Sequence, residues 1–508
     1  MKIKTNILEL WEQKPLTLIV WIAAIVRLTA IIFARGWGML DDHFLVIEIA
    51  QSWVDGGNFN HWLPSSPQNN GPTGHTFVYA GFHFLLFTFF KWLHLNDPQL
   101  KMTLVRLIHA AFSMIIVVLG YRITERWAGK KPARLAGLLL AVFWFMPWLS
   151  VRNLVEIVSI PFLFVSTWMI IKAENRGKII MPFLWAGLIA GISFSLRYQT
   201  LIYAGGMGLA LLFQKKIRQA VFFGIGYFIA VFLLQGIIDL LVWGYPFAEF
   251  IEYVSYNIEY RNAYITGDWY NYLLLLFGLL LPPVSVFLFV GIFKNWKKRL
   301  LIFLPLLIFL AFHSYFPNKQ ERFILTIVPF LIVLGAAGWY ELMHSRPFLM
   351  RHRKVFRGGW VFFWIVNLIL LFPVTTMYSK RARVEAMSYL YKYENVKAIL
   401  LENTNGTSIQ IMPQFYLGQW IERHELSQAD PAENLPNFVE HPELEPRFVL
   451  FFRDDNLEAR VNQAKTLMPQ LEFEAEIQPG FVDKVLHWLN PFNVNETIYI
   501  YRNAKYFP

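Results

Sequence analysis

Eleven apolar runs dominate what this chain can fold into. They lie at 16–33, 104–121, 135–149, 157–171, 181–194, 201–213, 221–243, 272–293, 300–312, 323–340 and 360–377. About 20 consecutive apolar residues cross the hydrocarbon of a bilayer, and in that solvent a helix satisfies all its own backbone groups. The longer runs therefore read as spanning α-helices. Composition agrees, since 56% of the 508 residues are hydrophobic, 17% are aromatic and 16% are charged. Soluble domains carry about 25% charged residues. The first run is longer than a secretory signal core and is followed by no small-residue cleavage site, so it reads as a retained anchor.

The formal net charge of +11 would suggest nucleic acid in a soluble protein. Here the basic residues collect in short loops: Lys2, Lys4 and Lys14; Arg122, Arg126, Lys130, Lys131 and Arg134; Lys172, Arg176 and Lys178; Lys215, Lys216 and Arg218; Lys294, Lys297, Lys298 and Arg299; Arg346, Arg351, Arg353, Lys354 and Arg357. Membrane orientation accounts for them, and a nucleic-acid partner is not expected. The positive-inside rule puts these loops in the cytoplasm, with the N-terminus inside and the C-terminus outside. A twelfth apolar stretch, 76–93, would invert this order if it crossed, so it is expected to lie along or re-enter the surface. The chain has no cysteine, which excludes disulfides, thiolate metal sites and thiol nucleophiles.

In that topology the charged groups at outer helix ends include Asp41, Asp42, His75, Arg152, Glu156, Arg197, Lys319, Glu321 and Arg322. Asp41 and Asp42 follow directly on the first run. Polar chemistry at the mouth of a membrane helix is a default functional hypothesis, against the plainer reading of a solvated pair or a helix cap. Several outer loops, each bringing one or two charges to one membrane face, read as parts of one site. Beyond residue 378 no run is long enough to span. Short apolar runs at 396–401, 448–452, 473–477 and 498–501 alternate with helical stretches, so 379–508 reads as a small extracytoplasmic α/β domain behind a transmembrane domain of 1–378. No glycine-rich nucleotide motif, internal repeat or metal-ligand spacing occurs.

Asp41-Asp42, Arg152-Asn153-Leu154-Val155-Glu156, Ser195-Leu196-Arg197-Tyr198-Gln199-Thr200 and Asn318-Lys319-Gln320-Glu321-Arg322-Phe323 occur in the order and spacing of family 22 of the C-type glycosyltransferases. The chain resembles that family, which includes mannosyltransferases of lipid-linked oligosaccharide and glycolipid-anchor assembly. Gly267-Asp268-Trp269-Tyr270 ahead of Leu281-Pro282-Pro283 is similar to the family's aromatic loop. The match departs from the family pattern at several positions: Asp42 stands for Glu, Leu40 for Pro, Asn318 for His, Gln320 for Glu and Tyr198 for Pro.

The resemblance implies a C-type glycosyltransferase fold of about eleven spanning helices, with surface-lying helices in the first outer loop. It implies transfer of a hexose, mannose first, from a polyprenyl-phosphate donor to a glycolipid or lipid-linked glycan acceptor by direct inverting displacement. Asp41 would be the base and Asp42 its close competitor. Lys319, Arg322 and Arg197 would meet the donor phosphate, and Glu156, Arg152, His75 and Glu321 the acceptor or a cation. No metal ligand set is assigned, and the need for a divalent cation is left open. The bacterial inner membrane is the first expectation for location and the endoplasmic reticulum the second. The rival reading is a transporter or flippase of a lipid-linked or anionic solute, which more often carries its charges at mid-helix and shows repeated halves.

Overall fold

The protein is described by a computed structural model that covers residues 2–69, 71–174, 180–490 and 494–507, with side chains from residue 8 onward. Arg176 and Lys178, and the side chains of Lys2 and Lys4, lie outside the described residues. The chain forms two compact units: residues 1–32, 60–82 and 105–376, and residues 33–59, 83–104 and 377–508.

Each of the eleven apolar runs is helical. Seven helices among the described residues are long and apolar enough to cross a membrane: Pro15–Phe33, Pro98–Ala128, Val155–Ala173, Ile217–Trp243, Trp296–Tyr315, Glu321–Ser345 and Arg353–Thr375. Met181–Leu196 and Thr200–Phe213 are shorter, and two runs are interrupted. The run at 272–293 divides into Asn271–Leu279 and Val284–Ile292 at Pro282-Pro283, where proline removes backbone donors. The run at 135–149 divides into Lys130–Val142 and Met146–Ser150. Asn367 fills that break: its amide donates to the Val142 carbonyl (2.8 Å) and accepts the Trp144 N–H (2.9 Å). Arg27, also buried, donates to the Ala141 and Leu140 carbonyls at 3.2 and 3.4 Å. These two side chains satisfy backbone groups that hydrocarbon could not. The stretch expected to leave the spanning set forms the apolar helix Phe77–Trp92, 16 residues or about 24 Å long.

Short helices pack through glycines. A Cβ on Gly187 would lie 2.0 Å from the Phe223 carbonyl oxygen, and one on Gly226 would lie 2.0 Å from that of Leu184, so the backbones of Met181–Leu196 and Ile217–Val231 touch. Small residues that let backbones approach are the usual basis of helix association in lipid. Gly291 and Gly338 join Val284–Ile292 to Val328–Ser345 in the same way.

The second unit is built on a five-stranded sheet of β1 (Ala398–Asn403), β2 (Glu422–Ser427), β3 (Phe448–Phe452), β4 (Leu471–Ile477) and β5 (Ile498–Asn503), in spatial order β2-β1-β3-β5-β4. β1 runs parallel to β2 and β3, while β5 is antiparallel to β3 and β4. The central strands β1 and β3 are buried along their whole length, which is why they read as unbroken apolar runs. The buried pair Arg460–Glu402 ties the helix Leu457–Leu467 to the end of β1, with Nε to Oε2 at 2.8 Å. In the same unit the chain from Leu40 to Val54 is helical, and His43–Glu48 within it is a π-helical stretch.

Candidate functional site

Three chain segments of the first unit gather on one carboxylate. Glu156 stands in the first turn of Val155–Ala173, where the helix dipole favours a negative charge. Its side chain is fully buried. Met181–Leu196 ends at Arg197, which is extended at φ −145° and ψ 107°, and the next helix begins three residues later. That tight turn, fastened by the Thr200 hydroxyl donating to the Arg197 carbonyl (2.8 Å), aims the Arg197 side chain at Glu156. Arg322 lies in the 3-10 turn Glu321–Ile327 that opens the helix of 328–345. Arg197 approaches a Glu156 carboxylate oxygen to 3.1 Å and Arg322 approaches it to 3.7 Å. Both guanidiniums lie over the Phe323 ring, at 5.1 and 5.7 Å from its centroid. Gln199 accepts from Arg197 (2.9 Å) and Gln320 from Arg322 Nε (3.0 Å). The two guanidiniums share this one carboxylate and keep 11 and 12% of their side-chain surface exposed. The arrangement suits a partly desolvated anion such as a phosphate ester.

Lys319 does a different job. Its ammonium donates to the carbonyls of His313 (2.8 Å), Ser314 (2.8 Å) and Phe316, at the C-terminal end of Leu300–Tyr315. A cation there answers the helix dipole and the orphan carbonyls. Burial holds its pKa below the ordinary lysine value. Its backbone N–H donates to Ile265 (2.9 Å), Asn318 bridges to Thr266, and the Tyr272 hydroxyl donates to the Gln320 carbonyl (3.0 Å). The aromatic loop and the turn at 316–320 thus hold each other, and Arg322 hangs from that turn. The phosphate role expected of Lys319 asks for ammonium donors that are here directed at backbone carbonyls.

Arg152 is buried with its guanidinium 4.5 Å from the Trp148 ring centroid. His75 and Glu321 are exposed. Gln199 and Phe323, which stand in the motifs that carry the family resemblance, and Tyr272, which follows the aromatic loop, are uncharged parts of the arrangement that are not among the expected site residues. The first unit holds a second buried polar cluster. Gln235 donates to Asp239 (2.8 Å) and Glu249 (2.9 Å), and Glu249 accepts the Phe77 N–H (2.9 Å) and Trp243 Nε1 (3.2 Å). Burial first, then the charge of Asp239, pushes the Glu249 carboxyl up to about 8. The lone Asp239 inside an apolar run was the available signal.

Asp41 and Asp42 belong to the second unit, in the helical turn Leu40–Asp42. Asp42 is 3% exposed and Asp41 is half-buried, so Asp41 is the more open of the two. The following His43 and Glu48 are fully buried. Among the described residues no group of three or more His, Asp or Glu side chains could hold a metal ion.

Comparison with known proteins gives the fold and the family. The crystal structure of ArnT from Cupriavidus metallidurans bound to undecaprenyl phosphate matches with a TM-score of 0.61 at 12% identity, over 95% of this chain and 97% of that one. Its apo form gives 0.54 at 12% identity over 96% and 97%. The Archaeoglobus fulgidus oligosaccharyltransferase complexed with zinc and sulfate gives 0.51 at 12% identity over 85% and 68%. These likenesses show the C-type glycosyltransferase fold of a multi-pass membrane protein. Among curated proteins, a probable Dol-P-Man:Man(7)GlcNAc(2)-PP-Dol alpha-1,6-mannosyltransferase of Schizosaccharomyces pombe is 26% identical over 196 residues, 37% of this chain. The match spans about a third of that relative's length, 35%. Residues 18–417 match the model of one family across both units, and the chain belongs to the Alg9-like mannosyltransferase family.

Proposed function

We propose that this protein transfers a hexose, in the first instance mannose, from a polyprenyl-phosphate donor to a lipid-linked or glycan acceptor on the outer membrane face, by a single inverting displacement. The family assignment and the dolichyl-phosphate-mannose named for the curated relative support the class of donor. The observation that carries the reading is the pair Arg197 and Arg322 held on buried Glu156, two preorganised guanidiniums at one carboxylate.

The chemistry needs one base and one anion stabiliser. The acceptor hydroxyl oxygen attacks the anomeric carbon, its proton passes to the Asp41 carboxylate, and the carbon–oxygen bond to phosphate breaks. The bonding pair leaves with the polyprenyl phosphate. Arg322 and Arg197 stabilise the charge developing there, an effect strengthened where water is excluded. Asp41 is assigned over Asp42 because it is the more exposed carboxylate. Lys319 orients the turn that carries Arg322, and Glu156 orients both guanidiniums. Arg152, His75 and Glu321 are assigned to the acceptor side. Basic loops orient the chain with its N-terminus cytoplasmic and residues 379–508 outside, in a bacterial inner membrane or the endoplasmic reticulum.

The test is transfer of radiolabelled mannose from polyprenyl-phosphate-mannose to a membrane lipid extract by the purified full chain, beside Asp41→Asn and Asp42→Asn. Label in lipid or glycan from wild type, lost in Asp41→Asn and kept in Asp42→Asn, is expected. Loss in Asp42→Asn alone would move the base to Asp42. No transfer from any polyprenyl-phosphate sugar, with movement of such lipids across vesicles, would replace the enzyme by a transporter.

A further inference from the structure

The loop that carries Asp41 and Asp42 is fastened inside the second unit at three points. The Ser379 N–H donates to the Arg35 carbonyl (3.1 Å). Gly36 there has φ +72°, and a Cβ on it would fall 1.8 Å from the Ser379 carbonyl oxygen. Next, the His43 ring is sandwiched between Trp37, at 4.9 Å and 14°, and Tyr416, at 5.6 Å and 11°. The Arg383 guanidinium lies 5.2 Å from the Trp37 ring centroid. Finally, Glu48 Oε1 accepts the backbone N–H of Phe415 (3.2 Å), in the first turn of the short helix Gln414–Leu417, and lies 3.6 Å from His43 Nε2.

The π-helical stretch explains why His43 and Glu48 meet. Residues five apart on an α-helix point about 140° away from each other. The wider turn, with its i to i+5 bonding, brings them to one face. Both side chains are fully buried. A buried carboxylate is a poor source of stability, because well-packed apolar residues of the same volume serve as well or better. What Glu48 supplies that leucine could not is an acceptor for one specific backbone N–H, which sets where residues 40–48 sit on residues 413–417.

We propose that His43 and Glu48 are positioning residues that latch the Asp41–Asp42 turn onto the segment 377–417. On this reading the C-terminal part of the chain is the platform of the base and not a separate substrate-binding module. The proposal rests on the assignment of Asp41 as the base.

Two readouts on the full chain in nanodiscs test it. In Glu48→Ala, amide hydrogen exchange across residues 37–48 should rise on the order of tenfold, whereas Glu48→Gln, which keeps an acceptor for the Phe415 N–H, should stay near wild type. Transfer kinetics should follow: in Glu48→Ala kcat falls roughly tenfold with donor KM nearly unchanged, and Glu48→Gln restores most of it. His43→Leu should repeat the Ala phenotype in weaker form. Unchanged exchange in Glu48→Ala overturns the latch. Raised exchange with unchanged kcat overturns its positioning role, as does equal loss in the Ala and Gln variants. If wild type transfers no sugar, the reaction assignment falls, and with it the positioning role. Exchange then still reports on the latch by itself.

Discussion

Replacing Glu156 by glutamine separates the two things its carboxylate does, holding the guanidiniums in place and cancelling half their charge. Its oxygen lies 3.1 Å from Arg197 and 3.7 Å from Arg322. With charge centres about 4 Å apart and an effective dielectric near 20, each attraction is on the order of 4 kcal/mol before desolvation. Desolvation offsets much of that, and removing one member of a buried ion pair costs about 3–5 kcal/mol. Glutamine keeps an acceptor oxygen, so the lower end applies, about 3 kcal/mol. The local charge becomes more positive by one unit, and the two guanidiniums, now repelling each other, move off Phe323. A displacement of about 1 Å in positioning groups can cost up to 100-fold, so kcat should fall at least tenfold. Affinity for the product polyprenyl phosphate should not fall, because the site has become more positive. Arg322→Ala should do the opposite to charge. One positive charge is lost, product affinity weakens and kcat falls by about 10²–10³. The assay is initial-rate transfer in nanodiscs, product inhibition by polyprenyl phosphate, and thermal unfolding of both variants. A Glu156→Gln enzyme with wild-type kcat and unfolding temperature would refute the argument, as would weaker product binding in that variant than in Arg322→Ala.

Two further outcomes follow from buried groups elsewhere. The Glu249 carboxyl is pushed from 4.5 up to about 8, so its contribution to stability is fully present below about pH 4.5 and is lost as pH rises through about 8. Across that window thermal stability should fall by up to about 1.4 kcal/mol per pH unit from this group, and Glu249→Gln should flatten the profile; parallel profiles would remove the assignment. Gly226→Ala should destabilise the helix pair by about 1–3 kcal/mol, because its Cβ would meet the Leu184 carbonyl at 2.0 Å. Gly205→Ala, with nothing within 4 Å of its added carbon, is the control and should be neutral or better in unfolding assays.

Much of the membrane architecture is legible in the sequence because hydrocarbon is a demanding solvent: runs of apolar residues have few alternatives to helix there. Proline marks the breaks in two of those runs, Pro282-Pro283 between Asn271–Leu279 and Val284–Ile292 and Pro147 at the start of Met146–Ser150. The side chain that fills the second break, Asn367, lies more than two hundred residues away and is not legible. Four strands of the second unit stand out as apolar runs, and β2, Glu-Arg-His-Glu-Leu-Ser, does not. It is an edge strand paired with β1 alone, its first four residues are exposed or half-buried, and charge on an edge discourages further pairing. Asp239 was hidden for the converse reason, as one carboxylate inside a long apolar run whose partner Glu249 lies beyond the turn.

For the candidate site, sequence alone determined which charges stand at helix ends, since a charge inside hydrocarbon is expensive and its position is therefore informative. It could not rank them. Only the tertiary structure decided that Arg197 and Arg322 share Glu156, that the Lys319 ammonium faces backbone carbonyls, and that His43 and Glu48 meet across a π turn. The reason is physical: solvent preference acts residue by residue and can be read along a chain. Hydrogen-bond and ion-pair geometry depends instead on angstrom distances between segments that only packing brings together.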